Sequence, residues 1–449
     1  MSRITQIHHP DFSLWQSAID QVVAKHKTAQ TQDFGIHKPA VQRPDTSDSM
    51  VGAAATAAQH LEQGVSLAQE AASTGGPKAT EGVGDAAKYC ASIWWEIAKA
   101  RLKGDAATEQ SWKARLGAFT SCDPRYADAV EQYVEFYKVK HGVPPYKVWT
   151  KLDDFIIDWK VPPKARIVIV GDWGTGQPEA KALLGAIARK NPDLILHLGD
   201  IYYSGTEFEM TNYFLNIWKS QIDLTKVKTF TLAGNHDMYS GGGPYYELLG
   251  DLGQPASYFC LRNDDWQFVA LDTGLHDVDA LGGKPTFLED TEVQWLNDKI
   301  STAGKRQTVL LSHHQLYTAF EDIGGQCMNQ TLNQQVAPIL PQVTAWFWGH
   351  EHNQVIYRPF QGVLARCIGH GAYPVGITEV SDKPKFPEPP TGNGPGLEKV
   401  TLAKGQSFYS HGYAVMDLDG PAATMSYYQD SDPEDKPMWS ETFPKEAAQ

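Results

Sequence analysis

Five short segments of this chain place Asp, Asn or His directly after an apolar run. Val170 leads into Gly171-Asp172-Trp173-Gly174, Leu198 into Gly199-Asp200-Ile201-Tyr202-Tyr203, and Ala233 into Gly234-Asn235-His236-Asp237. Ser312 leads into His313-His314, and Trp348 into Gly349-His350-Glu351-His352. Carboxylate, amide and imidazole are the hard and borderline donors that hold divalent and trivalent cations. Two cations about 3.5–4 Å apart can neutralise a phosphate ester, generate hydroxide and stabilise both apical oxygens. Glycine before a ligand allows backbone and metal to approach closely. Each segment alone has a bland reading. Gly-Asp is usually a turn, Asn-His-Asp can close a turn with its own side chains, and two histidines can simply face solvent. Gly-His-x-His is more specific, because alternate residues of an extended segment share one side. All five together, in order and each after an apolar run, leave little room for accident.

The elements that must position these residues are legible from Lys164 onward. Arg166–Val170, Leu194–Leu198, Lys228–Leu232, Gln267–Leu271, Thr308–Ser312 and Ala345–Trp348 read as strands, with helices such as Glu179–Lys190 and Thr291–Thr302 between them. Such alternation predicts an α/β domain with largely buried strands. Ligands in open α/β sheets bind outside the carboxyl ends of strands, so the five segments are expected to converge. Four further strands are expected at Val355–Phe360, Val363–Ile368, Tyr413–Leu418 and Thr424–Tyr428, with a Pro- and Gly-rich loop over Pro374–Gly396.

The ordered set resembles the calcineurin-like metallophosphoesterase superfamily over roughly Ile167 to Asp419, and within it most resembles the purple acid phosphatases. The first motif reads Asp172-Trp173-Gly174 where most relatives have Asp-x-His. The second carries Tyr203 three residues after Asp200, where purple acid phosphatases place a metal-binding tyrosine. The Gly-Asp-x-Val-Asp-Arg-Gly and Gly-Asn-His-Glu motifs of protein Ser/Thr phosphatases are absent. The resemblance implies a four-layer α/β/β/α fold, a β-sandwich flanked by helices. It implies two metal ions, Fe(III) and a divalent partner (Fe, Zn or Mn). Asp172, Asp200, Tyr203 and His352 would hold the first, and Asp200, Asn235, His313 and His350 the second, with Asp200 bridging. A phenolate suits Fe(III) and a neutral Asn-and-His set suits a divalent ion; Tyr203, like Tyr202, is otherwise a packing aromatic. His236 would face the phosphate and assist the leaving oxygen, with Asp237 orienting its imidazole. Asn235 and His314 are the other substrate contacts; the alternative for His314 is packing, and for Asp237 a structural turn. His276, His370 and His411 lie in loops or at strand ends and read as surface residues, with substrate contact the alternative for each.

The implied reaction is hydrolysis of a small phosphomonoester by metal-bound hydroxide. The alternative within the same site is a phosphodiesterase acting on cyclic nucleotides or phospholipid-type esters. The alternative outside enzymes is an inactive scaffold whose N-terminal helices do the work, and against it no expected ligand is missing.

Composition narrows the partners. Net charge is −14, with no basic run of five or more residues, which argues against non-specific nucleic-acid binding. A 42% hydrophobic content indicates a folded chain with a sizeable core. No window approaches a membrane span and the N-terminus has no apolar leader. The expectation is therefore a cytoplasmic protein, or one exported by a route without such a leader. Five widely spaced cysteines read as reduced, buried thiols. Three regions are expected: a mainly helical 1–150 of unknown role with a candidate partner-docking face, a catalytic domain over 164–430, and a tail over 431–449.

Overall fold

A computed structural model describes most residues from 140 to 443, together with 132, 136 and 137. Residue 203 and the stretches 278–284, 376–383 and 387–396 are the main ones within that range it does not describe. Most of the mainly helical region expected over 1–150, with its candidate docking face, and Cys90 and Cys122 therefore lie outside the described residues. The chain divides into two compact units. The unit made of Val139–Asp279 and Gly283–Gln449 holds all five segments named above.

That unit is a sandwich of two sheets. The first has the order β13-β12-β11-β1-β2-β3, built from β1 (Arg166–Val170), β2 (Leu194–His197), β3 (Lys228–Thr231), β11 (Gly412–Asp419), β12 (Ala422–Gln429) and β13 (Trp439–Phe443). The second runs β10-β8-β9-β7-β6-β5-β4. Its strands are β4 (Phe259–Arg262), β5 (Trp266–Ala270), β6 (Gln307–Ser312), β7 (Val343–Trp348), β8 (Gln354–Tyr357), β9 (Leu364–Ile368) and β10 (Leu397–Val400).

The run Arg166-Ile-Val-Ile-Val shows why the layers form. Its β-branched residues favour extended backbone. Alternation sends Ile167 and Ile169 into the core between the sheets, where they meet Phe268, Leu311 and Phe347. Val168 and Val170 point the other way, under α1 (Pro178–Arg189) and α2 (Asn216–Gln221). Each such side chain contributes about 1.5–3 kcal/mol on full burial. Helix α1 starts with Pro178 in its first turn and buries Ala180, Leu183, Leu184 and Ile187, the spacing of one helical face. A one-turn helix, α3 (Asn235–Met238), and α4 (Gly243–Leu252) follow β3. On the far side of the second sheet, α5 (Asp290–Ser301) buries its Trp295 and Leu296 and α6 (Gln330–Val336) its Leu332 and Val336. Helix, sheet, sheet and helix make the four expected layers.

The parallel core strands set the site. Val170 pairs with His197, and His197 with Thr231, so β1, β2 and β3 end side by side. In the other sheet Ser312 pairs with Trp348, aligning the ends of β6 and β7.

The tail expected over 431–449 is corrected, because it supplies strand β13, paired with β12 from Ala423↔Phe443 to Tyr427↔Trp439. Glu441 explains why a charged stretch is drawn in. Its carboxylate takes both Nε and Nη2 of the fully buried Arg366 at 2.7 Å, and the Tyr427 hydroxyl at 2.6 Å. The Pro374–Gly396 loop is largely outside the described residues, and β10 follows it directly. Among the described residues no helix is long and apolar enough to cross a membrane. Cys260 and Cys367 are buried free thiols, and Cys327 is partly exposed.

Candidate metal centre

Each chemistry-bearing segment leaves its strand through a tight turn. Asp172, Asp200 and His350 have φ of 56°, 74° and 66°, the left-handed region that side chains with a Cβ avoid. Backbone conformations of that kind cost of order 1–3 kcal/mol each and concentrate at functional sites. Two glycines show how close the packing is. A Cβ on Gly234 would lie 2.1 Å from Asp200 Oδ1, and one on Gly349 would lie 2.5 Å from Asp172 Oδ2.

Six of the seven residues expected to hold metal are brought together, all buried. Oxygens of Asp172 and Asp200 and a ring nitrogen of His352 lie within 4.8 Å of one another. His352 Nε2 is 3.4 Å from Asp172 Oδ1, and the His350 backbone N–H donates to Asp172 Oδ2 at 2.9 Å. On the other side of Asp200, His313 Nε2 is 3.4 Å from Asp200 Oδ1, 3.1 Å from Asn235 Oδ1 and 3.3 Å from His350 Nδ1. Asp200 is thus the residue common to both groups.

The protonation pattern of the second group fits a cation. The Leu198 carbonyl can only accept, so His313 Nδ1, 2.9 Å away, carries the proton and Nε2 is a bare lone pair. Asn235 Nδ2 donates to the Tyr239 hydroxyl at 2.7 Å, which leaves Oδ1 facing His313 and His350. Four acceptor atoms then converge, and a proton on His350 Nδ1 serves at most two of them. A cation serves all four.

Electrostatics points the same way. Burial, then Asp172 and Asp237, push the Asp200 carboxyl well above the usual carboxylate range. Burial, then His314, push His313 well below the ordinary imidazole value. Without a counter-charge the site disfavours both its anions and its imidazolium, and a bound cation restores ionised carboxylate beside neutral imidazole.

Tyr203 lies outside the described residues. Its neighbour Tyr202, read from sequence as a packing aromatic, is fully buried in the first group. Its hydroxyl is 3.0 Å from Asp172 Oδ1 and 2.9 Å from His352 Nε2, and its ring lies 4.9 Å from Tyr373, which stacks on His352. Tyr202 is the functional candidate sequence reasoning missed. The signal available was the doubled tyrosine, which left two positions for one role.

His236 is buried beside the Asp200 carboxylate, with Nε2 3.9 Å from Asp200 Oδ2. Asp237 does not orient that imidazole. Its Oδ2 accepts the N–H groups of Gly234 at 2.7 Å and Asp200 at 3.0 Å, and its Oδ1 accepts that of Ile201 at 3.0 Å. A carboxylate one residue along a helical turn diverges from its neighbour's side chain, so backbone amides reach it first.

His314 packs 4.3 Å from the His350 ring and within the group His313, His314 and His350, with Nδ1 on Thr273 Oγ1 and Nε2 on Asp277 Oδ2. Glu351 turns away from the two flanking histidines and accepts the Thr318 hydroxyl. The surface reading of His370 and His411 is overturned. They are 3% and 6% exposed, and burial pushes His370 down to about 3. His276 is partly exposed, stacked on Phe287 and paired with Glu289.

Residues 165–354 match the family model described as calcineurin-like phosphoesterase. A curated relative, the 3′,5′-cyclic adenosine monophosphate phosphodiesterase CpdA of Pseudomonas aeruginosa, is 28% identical over 179 residues. The match covers 37% of this chain and 58% of that protein. Among solved structures, GAP50, the anchor in the inner membrane complex of Plasmodium, is 14% identical with a TM-score of 0.42, covering 62% of this chain and 88% of its own. A dimetal phosphatase from Danio rerio is also 14% identical, with a TM-score of 0.41, covering 63% and 99%.

Proposed function

We propose that the protein hydrolyses small phosphate esters, preferentially monoesters, at a dinuclear metal centre held by Asp172, Asp200, Asn235, His313, His350 and His352. The observation that carries this reading is the convergence of two donor groups on one shared carboxylate, Asp200. A pair of bound cations would supply charge neutralisation for the phosphate and an acidified water as nucleophile.

The chain's own residues do the rest. Asp200 and Asp172 hold the negative charge that retains the cations, and Asn235 and the histidines complete the set without adding charge. His236, buried against Asp200, is placed to hydrogen-bond the phosphate or hand a proton to the leaving oxygen. The first group has a phenol in it, which favours iron there. Bound to Fe(III), Tyr202 or Tyr203 would be the phenolate, and a purple acid phosphatase-like site would result.

A second reading, phosphodiester hydrolysis on the same residues, is favoured by the similarity to the cyclic-nucleotide phosphodiesterase. One assay separates them. Metal-loaded full-length protein is given p-nitrophenyl phosphate and bis(p-nitrophenyl) phosphate, beside Asn235→Ala. The monoester should turn over faster, and the variant should lose at least ~100-fold in kcat, the scale of removing one electrostatic stabiliser. A faster diester selects the second reading. Equal rates for the two proteins sink both.

A further inference from the structure

We infer that Asp237 is a positioning residue for the metal pair: it clamps the turn carrying Asp200 to the turn carrying Asn235 and thereby sets metal affinity. This rests on the metal-dependent reading above.

Three backbone N–H groups converge on one buried carboxylate, at 2.7, 3.0 and 3.0 Å. The bond from Gly234 is local and is what an acidic residue in the first turn of α3 ordinarily makes. The other two are different. Asp200 and Ile201 lie 37 and 36 residues away, and α3 gains nothing from them as a helix. They tie down a residue in left-handed backbone, φ 74°, that must be held against its own preference. The bracing is reciprocal, since the His236 backbone N–H donates to Asp200 Oδ1 at 3.1 Å. Each turn thus supplies the carboxylate that fixes the other. The Asp237 backbone also packs hard against a neighbouring loop, where a Cβ on Gly205 would meet its Cα at 2.7 Å. Both oxygens are taken up by backbone N–H groups.

The consequence differs from that of a residue acting through His236. Loosening the clamp lets the bridging carboxylate and the Asn235 amide drift apart, which weakens cation binding. Loss of an imidazole partner would instead leave binding intact and slow the chemical step.

The test uses full-length protein stripped of metal and titrated with Mn(II) by calorimetry, comparing wild type, Asp237→Asn and His236→Asn. Asp237→Asn should weaken Mn(II) binding by ~10–100-fold, the scale for partners that orient ligands, and recover kcat to within about 3-fold of wild type at saturating Mn(II). His236→Asn should show the opposite pattern, with ordinary affinity and reduced kcat. Unchanged affinity with a persistent kcat defect in Asp237→Asn overturns the inference. If Asp237→Asn does not fold, Asp237→Glu is read in its place by the same two numbers. Wild-type protein that binds no ion pair overturns the metal-dependent reading and this inference together. Wild-type protein that binds a pair no better than the variant overturns this inference alone.

Discussion

The two halves of the proposed metal centre share Asp200 and little else. On one side stand a second carboxylate, Asp172, one imidazole, His352, and the Tyr202 hydroxyl, with Tyr373 stacked over the ring. On the other stand the Asn235 amide and two imidazoles, His313 and His350. The first half collects negative charge and hard oxygen, whereas the second is neutral apart from the shared bridge. Hard anionic donors favour a trivalent ion, and neutral nitrogen donors a divalent one. On the proposed dinuclear reading this difference would suit unlike ions, with Asp200 shared between them.

That asymmetry can be broken in steps. The largest effect is expected from Asp200→Asn, which removes the shared anion. Both ions should be lost or weakened, with kcat down by well over ~100-fold; metal content after dialysis measures this. A variant that loses only one ion would show that the halves are independent. Gly234→Ala comes next, because its methyl would sit 2.1 Å from Asp200 Oδ1. It should reduce the bound metal while the remaining protein melts cooperatively, read by metal analysis beside a thermal scan. Full metal content in that variant would show that the bridge does not need the close approach. Smallest is the effect of single hydroxyl removals. Tyr202→Phe should alter the visible spectrum of iron-loaded protein and leave the His313 half occupied. If Tyr203→Phe abolishes the colour and Tyr202→Phe does not, the phenol assignment moves one residue along.

The strands and turns that carry the two halves were legible in the sequence, and the reasons are local. Strand β1 and its turn declare themselves in Arg166-Ile-Val-Ile-Val-Gly-Asp, since β-branched residues and a Gly-Asp end need no distant information. The same holds for β6 with His313 and β7 with His350. Three features were not legible. Strand β4, Phe259-Cys-Leu-Arg, is too short to show a period. Strand β13 is hydrophobic only in alternation, and its buried Glu441 makes sense only once Arg366 is opposite it. The Asp237 clamp joins backbone groups 36 and 37 residues away, and backbone hydrogen bonds carry no residue-type signature. Tyr202 and Tyr203 are adjacent and chemically identical, so nothing but their placement separates them.

The most direct test of the unlike-ion account is anomalous scattering from crystals of protein loaded with iron and zinc, measured on both sides of the two absorption edges. The account predicts iron in the half made by Asp172, Tyr202 and His352, and zinc in the half made by Asn235, His313 and His350. Equal mixtures of both metals in both halves, or an empty site, would contradict it.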